Sequence, residues 1–314
     1  MTVLDPDARA RVAPRRKPRW LLGLAYLAER ACALLGGRAF YRWRSLSPRR
    51  LRVRREEVEV EGLPAGLEGL CIAQLSNLHA GSFLGAGDLR HAVRAANAEE
   101  PDVVVLTGDY ISHHWDDALA LVDDLARLEP RLGTFAVFGN HDYRGRLEGR
   151  IAEHFSAAGV RFLRNEAVRL DSGDGVLALV GIEDLEEARR IDADTPRAEL
   201  GPSDVEVLLC HNPKGAETRA RPECALVLSG HSHGTQVDLP LLRRVGPSHP
   251  GDRRSVHGTV SITSHGLGVV GLPLRVGSRA EVVVVRLRRL PGSGADYNGR
   301  TVDALDPGRN SDGR

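Results

Sequence analysis

Five apolar runs in this chain each end on polar residues suited to holding metal: Leu75-Ser76-Asn77-Leu78-His79, Thr107-Gly108-Asp109, Gly139-Asn140-His141-Asp142, Cys210-His211-Asn212-Pro213 and Ser229-Gly230-His231-Ser232-His233. Short apolar runs stopped by turn residues read as buried strands. Strands that deliver oxygen and nitrogen donors at their carboxyl ends can build a two-metal hydrolytic site. This pattern constrains the fold, because the donors converge only if those strand ends are gathered at one edge of the body.

The rest of the body fits that constraint. Residues 70–75, 102–106 and 134–138 read as strands, and Asp88 is placed to cap a helix running to about Glu99. Residues 116–128 and 147–158 carry helical spacing, and residues 176–182, 205–209, 225–228, 260–263 and 282–287 read as further strands. Strand and helix alternate first and strands dominate later, which predicts an α/β body with two sheets rather than one doubly wound sheet. No repeat of 20 to 50 residues is visible.

The overall charge is nearly balanced, but its distribution is not. Residues 1–55 hold 15 basic and 3 acidic residues, net +12, and the remainder holds 28 and 39, net −11. A basic arm is thus joined to an acidic body. Within the arm, residues 15–19 precede an apolar stretch from Trp20 that Glu29 and Arg30 interrupt, too short to span a bilayer. Trp20, Tyr26, Phe40, Tyr41 and Trp43 with many arginines suit a helix lying on an anionic membrane surface. The competing readings are a solvated basic tail and a helix docked on the domain. Nucleic acid is not expected as a partner, since the body is acidic and no reader motif is present. Domains are therefore expected at 1–55 (basic amphipathic arm, a candidate membrane-surface helix), 56–288 (the α/β body that carries the strand-end motifs) and 289–314 (a disordered tail rich in Gly, Asp, Asn and Pro). Cys32, Cys71, Cys210 and Cys224 show no paired spacing, which points to a reducing compartment.

Taken singly, each strand-end motif has a conformational explanation: Gly-Asp can be a turn, Asn-His a hairpin, and His211 before Asn-Pro a helix cap. The ordered set is what points to metal. The series Asn77-x-His79, Gly108-Asp109, Gly139-Asn140-His141-Asp142, His211 and Gly230-His231-x-His233 resembles the calcineurin-like metallophosphoesterase superfamily over roughly residues 55–288. More narrowly, residues 75–81, 107–112, 230–236 and 264–275 resemble the bacterial membrane-associated phosphodiesterase branch related to UDP-2,3-diacylglucosamine pyrophosphatase.

The resemblance implies a four-layer αββα sandwich with a dinuclear site at the carboxyl ends of the strands. It implies one divalent ion on Asn77, His79, Asp109 and His233 and a second on Asp109, Asn140, His211 and His231, with Asp109 bridging. A mixed oxygen and imidazole set suits Mn, Fe or Zn. The implied reaction is hydrolysis of a phosphodiester or pyrophosphate by hydroxide held between the ions, with His141 acting on the departing oxygen and Asp142 orienting its ring. The expected substrate is a phosphorylated small molecule or lipid, including nucleotide sugars, and the expected location is cytoplasmic, peripheral on the inner face of the cell membrane. Asn77 departs from the family, which has Asp there. An amide brings no charge, so the alternative is a metal-depleted relative that binds a phosphorylated ligand or partner with little turnover. His113, His114 and Arg144 lie near these motifs in sequence and are placed outside the ligand set.

Overall fold

A helix opens the part of the chain that the computed structural model describes, residues 19–238 and 251–290. α1 (Arg19–Cys32) runs on through helical turns and α2 (Arg38–Tyr41) as far as Leu46, and the path bends at Gly36, whose φ of 99° suits glycine. The segment is docked on the body: Tyr41 and Leu46 are buried, and the Tyr41 hydroxyl donates to the Leu267 carbonyl. Its outer face stays apolar and exposed at Trp20, Leu24, Leu27, Leu34, Leu35, Phe40 and Trp43.

The body is built on two six-stranded sheets. The first contains β1 (Arg52–Val60), β2 (Cys71–Leu75), β3 (Val103–Thr107), β4 (Gly133–Val137), β5 (Val160–Phe162) and β12 (Glu281–Arg289) in the order β1-β12-β2-β3-β4-β5. β2 to β5 are parallel, and β12 runs antiparallel to β2 and parallel to β1. The second contains β6 (Glu166–Ser172), β7 (Gly175–Gly181), β8 (Val205–Leu209), β9 (Cys224–Ser229), β10 (Arg253–Val256) and β11 (Thr259–Thr263) in the order β10-β11-β9-β8-β7-β6.

Side-chain alternation explains why the sheets stack. Ile72, Val103, Val105, Val207, Leu209 and Val283 point into a shared core between the sheets, while their neighbours Ala73, Val104, Leu106 and Val284 point outward under helices. α3 (Arg90–Asn97), α4 (Val122–Leu125) and α5 (Glu148–Ala157) cover the first sheet. α6 (Asp194–Arg197) and α7 (Lys214–Arg219) flank the second, whose outer core holds Val180, Leu208, Cys210 and Val227. Burying each such aliphatic side chain contributes about 1.5–3 kcal/mol, so runs apolar on both faces belong at the centre. The expected αββα order is therefore present.

Several local expectations differ. β1 starts at Arg52, inside the segment assigned to the arm, and pairs with β12 along its full length. Its Arg and Glu residues hide it from an apolar-run search, since only Arg54 and Val58 are buried in this edge strand. Residues 116–128 form 3₁₀ turns from Trp115 to Leu121 followed by the short α4, rather than one α-helix. Asp88 does not cap α3: it accepts the Gly85 N–H and pairs with Arg38 and Arg42 of the arm, and the Asp124 carboxylate receives the Leu89 N–H instead. The first 18 residues and all but Arg289 and Leu290 of the expected tail lie outside the described residues.

Candidate metal centre

The strand ends meet where sequence placed them. β2 ends before Asn77 and His79, β3 before Asp109, β4 before Asn140, β8 before His211, and β9 before His231 and His233. Two donor groups result: His79, Asp109 and His233 in one, Asp109, His211 and His231 in the other, with donor atoms within 4.8 Å of one another in each. Asp109 belongs to both. Five of the seven expected ligands take positive φ: Asn77 47°, His79 47°, Asp109 57°, His231 70° and His233 54°. Such conformations cost on the order of 1–2 kcal/mol each for non-glycine residues, and strain of this kind collects at functional sites. Close approach also dictates glycine: a Cβ on Gly139 would lie 2.3 Å from Asp109 Oδ1 and 2.4 Å from its backbone N.

The ring nitrogens turn inward. His79 Nε2 and His233 Nε2 are 2.9 Å apart, and His231 Nδ1 lies 3.3 Å from His211 Nε2 and 3.2 Å from Asn140 Oδ1. Asp109 Oδ2 is 3.3 Å from both His79 Nε2 and His211 Nε2. Electron-pair donors converging on one buried carboxylate are what two divalent cations require. Burial alone would raise the Asp109 carboxyl, but the charges of His211 and His141 and hydrogen bonds from His211 and His79 hold it well below the usual range. Burial opposes protonation of His211, yet the Asp109 charge and hydrogen bond lift it to about 9. Burial and then His211 push His231 down to about 4, and burial, His79 and Arg275 hold His233 well below its ordinary value.

Asn77 is fully buried, and its oxygen is already engaged. Oδ1 accepts the His231 N–H at 2.9 Å and the Ser76 hydroxyl at 3.3 Å, leaving Nδ2 without a partner. An amide nitrogen has no lone pair to offer a cation. An aspartate here could satisfy the same N–H and keep a second oxygen free.

His141 sits beside the ligands, its ring 4.7 Å from that of His79. Asp142 does not orient that ring. Its carboxylate accepts the N–H groups of Gly139, Asp109, Tyr110 and, more weakly at 3.3 Å, Ile111, tying the Asp109 loop to the Asn140 loop. The His141 ring is held by Ser112 O at 3.2 Å from Nδ1 and Arg144 Nη2 at 3.3 Å from Nε2. Arg144 leads outward: its Nη1 also lies 3.2 Å from His113 Nδ1, and His113 Nε2 is 2.8 Å from Glu29 of α1. The other Glu29 oxygen accepts the Gly271 N–H at 3.1 Å. Arg144 is therefore a partner of His141 and His113 a partner of Arg144, while Glu29 carried no signal in the sequence.

Glu186 is a further residue the strand-end pattern does not reveal. Its Oε1 is 3.4 Å from His231 Nε2 and accepts from Asn212 Nδ2 at 3.2 Å. Burial, then the neighbouring Asp184, lifts it to about 7.

Residues 72–235 match the family of calcineurin-like phosphoesterases. The chain is 33% identical over 248 residues to a transmembrane protein with metallophosphoesterase domain from Danio rerio, covering 74% of this chain and 56% of that relative. The bovine protein of the same name is also matched over 56% of its length, so the chain spans little more than half of these vertebrate relatives. A metallophosphoesterase of Aquifex aeolicus is 32% identical over 246 residues, 76% of this chain and 92% of the relative.

Proposed function

The chain belongs to the calcineurin-like phosphoesterase family and is a metal-dependent hydrolase, and we propose that it cleaves a phosphodiester or pyrophosphate, on a lipid or nucleotide-sugar headgroup, at an anionic membrane surface. The observation that carries the catalytic part is the convergence of four histidines on the buried, strained Asp109 with His141 alongside. Two divalent ions, manganese as the first candidate, supply Lewis-acid activation of water and of the phosphoryl oxygens. His79 and His233 would hold one and Asn140, His211 and His231 the other, with Asp109 between them.

His141 does the proton work. Its neutral ring donates Nδ1–H to Ser112 O and presents Nε2 to the Arg144 guanidinium. Burial, with the charges of His79 and Arg144, holds it well below the ordinary histidine value despite the opposing pull of Asp109. With an anionic substrate in place to offset the charge of the ions, the ring would take a proton from solvent on Nε2 and pass it to the departing oxygen. Arg144 is placed to hold a phosphoryl oxygen once substrate parts it from Nε2.

The membrane part rests on the arm. Leu34 and Leu35 are 84% and 89% exposed and Trp43 is 65% exposed, on a segment rich in arginine. No helix among the described residues is long and apolar enough to cross a bilayer. The proposed contact is peripheral, on the inner face of the cell membrane. Likeness of residues 264–275 to the UDP-2,3-diacylglucosamine pyrophosphatase branch supports the lipid substrate class. The engaged oxygen of Asn77 favours one second reading, a chain that keeps only its second ion and binds phosphorylated ligands with little turnover.

Purified protein supplied with Mn is expected to hydrolyse bis-p-nitrophenyl phosphate, and Asp109→Ala to abolish it. Equal activity in both proteins would overturn the site; no turnover with any divalent metal would select the second reading. A panel of phosphodiesters, nucleotide diphosphate sugars and phospholipids identifies the substrate. The membrane contact is tested with Leu34→Glu/Leu35→Glu, which is expected to release the protein from anionic vesicles; substitution is the cleaner test because deleting residues 1–55 would remove part of β1.

A further inference from the structure

The motif spanning residues 264–275 ends on Arg275, which is not among the metal donors. Arg275 is only 3% exposed. Its guanidinium donates to Gly268 O, His265 O, His233 O, the Ser278 hydroxyl and the Tyr41 hydroxyl, all neutral acceptors. Among the described residues no carboxylate pairs with it. A buried cation normally has a counter-charge, because neutral hydrogen bonds satisfy its donors and leave its net charge uncompensated.

That counter-charge has a place to sit. Arg275 forms the floor of a depression of about 690 Å³ whose rim carries Arg44, Arg49, Arg50 and Arg279, with no acidic residue in the lining. Arg279 is fixed by donating from Nε and Nη2 to the Arg50 carbonyl at 3.2 and 2.8 Å, so its orientation is set while its charge stays free. The neighbouring depression shows that arginine alone is not the signal. There, in about 490 Å³ lined by Arg42, Arg90 and Arg94, Asp88 pairs with Arg38 and Arg42 at 2.9 and 2.8 Å, and Asp124 faces Arg90 at 3.7 Å. That depression carries one carboxylate, Asp88, in its lining and a second, Asp124, against Arg90 from outside it, whereas the Arg44–Arg49–Arg50–Arg279 depression has none in its lining.

We propose that the Arg44–Arg49–Arg50–Arg279 depression is a second anion site that binds a phosphate group. Several planar forks around one concavity match the tetrahedral oxygens of phosphate and the site's net positive charge. The volume accommodates more than a bare ion, and the same helical segment exposes Phe40 and Trp43. The ligand is therefore a phosphate carried by a lipid headgroup or by a soluble molecule. The floor is shared with the metal loop, since Arg275 Nη1 and the Ser278 hydroxyl both donate to His233 O, at 3.3 and 2.6 Å. The site needs no turnover at the metal centre and goes beyond the hydrolase reading.

The test uses the full Mn-loaded chain at constant ionic strength, with phosphatidylcholine vesicles containing phosphatidic acid and, separately, inorganic phosphate. Arg49→Gln/Arg50→Gln and, independently, Arg279→Gln remove rim charges, and Arg30→Gln, matched to Arg279→Gln, removes one charge elsewhere on the arm without breaking the Arg38–Asp88 pair. Loss of vesicle binding by at least about tenfold in the rim variants, with the arm control near wild type, establishes a lipid phosphate as the ligand. Loss of one equivalent of bound inorganic phosphate, with vesicle binding unchanged, establishes a soluble one. Rim variants that match wild type in both assays, or an arm control that loses as much, overturn the site. Failure of the wild type to bind vesicles removes the membrane reading alone, because the phosphate measurement still decides this one. Thermal melts of each variant confirm folding.

Discussion

The two halves of the metal centre share Asp109 and similar strand-end origins, yet their surroundings differ. In the second half, His211 sets Nδ1 on the Thr107 carbonyl at 2.7 Å and His231 sets Nε2 against Glu186 at 3.4 Å. In the first, His79 Nδ1 is buried without a partner, His233 Nδ1 faces the Arg275 guanidinium at 3.4 Å, and Asn77 leaves only Nδ2 unengaged. Acceptors behind a metal-bound imidazole fix its tautomer and raise its basicity, and a cation there does the reverse. Three separate features therefore point to a strong second site and a weak first one. Graded removal of metal by a chelator is expected to proceed in two steps, with the ion on His79 and His233 leaving first.

The largest expected effect removes the comparison altogether. Gly139→Ala would drive a Cβ into Asp109, whose backbone and carboxylate it would meet well inside contact distance. Both halves depend on that carboxylate, so metal content measured by mass spectrometry should fall at both sites and activity by at least about a hundredfold. Loss of one ion only would show that Asp109 is not shared.

Asn77→Asp sharpens the contrast. The new carboxylate can keep the His231 N–H on one oxygen and present the other to the first ion. First-site affinity is expected to rise by on the order of tenfold or more, and the two-step chelator curve to approach one step. An unchanged curve would place the weakness in the partnerless His79 and the Arg275-facing His233 rather than in the amide.

How much of this was legible in the sequence follows the same physics. Ligands carried at the ends of buried parallel strands announce themselves, because an apolar run must stop where the chain turns to chemistry. Asn77, His79, Asp109, Asn140, His211, His231 and His233 all follow such runs. The sheet edge formed by β1 was not, since an edge strand with Arg and Glu along it has no apolar run. Nor were Glu29, Glu186 or the role of Asp142, because contacts across 84 or 45 residues leave no local pattern. The Asp142 motif position was visible, but its four backbone partners depend on two loops meeting. The charge contrast between arm and body was legible; which arginines Asp88 and Asp124 neutralise was not.

Glu186→Gln probes the stronger half. The amide can still accept from Asn212 through its oxygen, but it no longer offers a charge to His231 Nε2. Second-site affinity should weaken by about tenfold, the lower range for partners behind a ligand, with the first site untouched. A fall confined to the first site would invert the assignment of the two halves.

The smallest effect comes from farthest away. Glu29 touches neither half; it reaches His141 only through His113 and Arg144. His113 takes Glu29 on Nε2, which leaves Nδ1 as the acceptor for Arg144, and that tautomer is fixed by the carboxylate. Glu29→Gln keeps the size and the Gly271 contact but weakens this preference. The expected result is a two- to threefold fall in kcat, about 0.5 kcal/mol, with KM and both metal affinities unchanged. His113→Ala should lose more, and adding Glu29→Gln to it should lose nothing further, because the two residues act as one path. Multiplying losses would mean that Glu29 acts through the docking of α1 instead. A change in metal content would mean that the difference between the halves reflects general loosening of the centre rather than the groups behind each ligand.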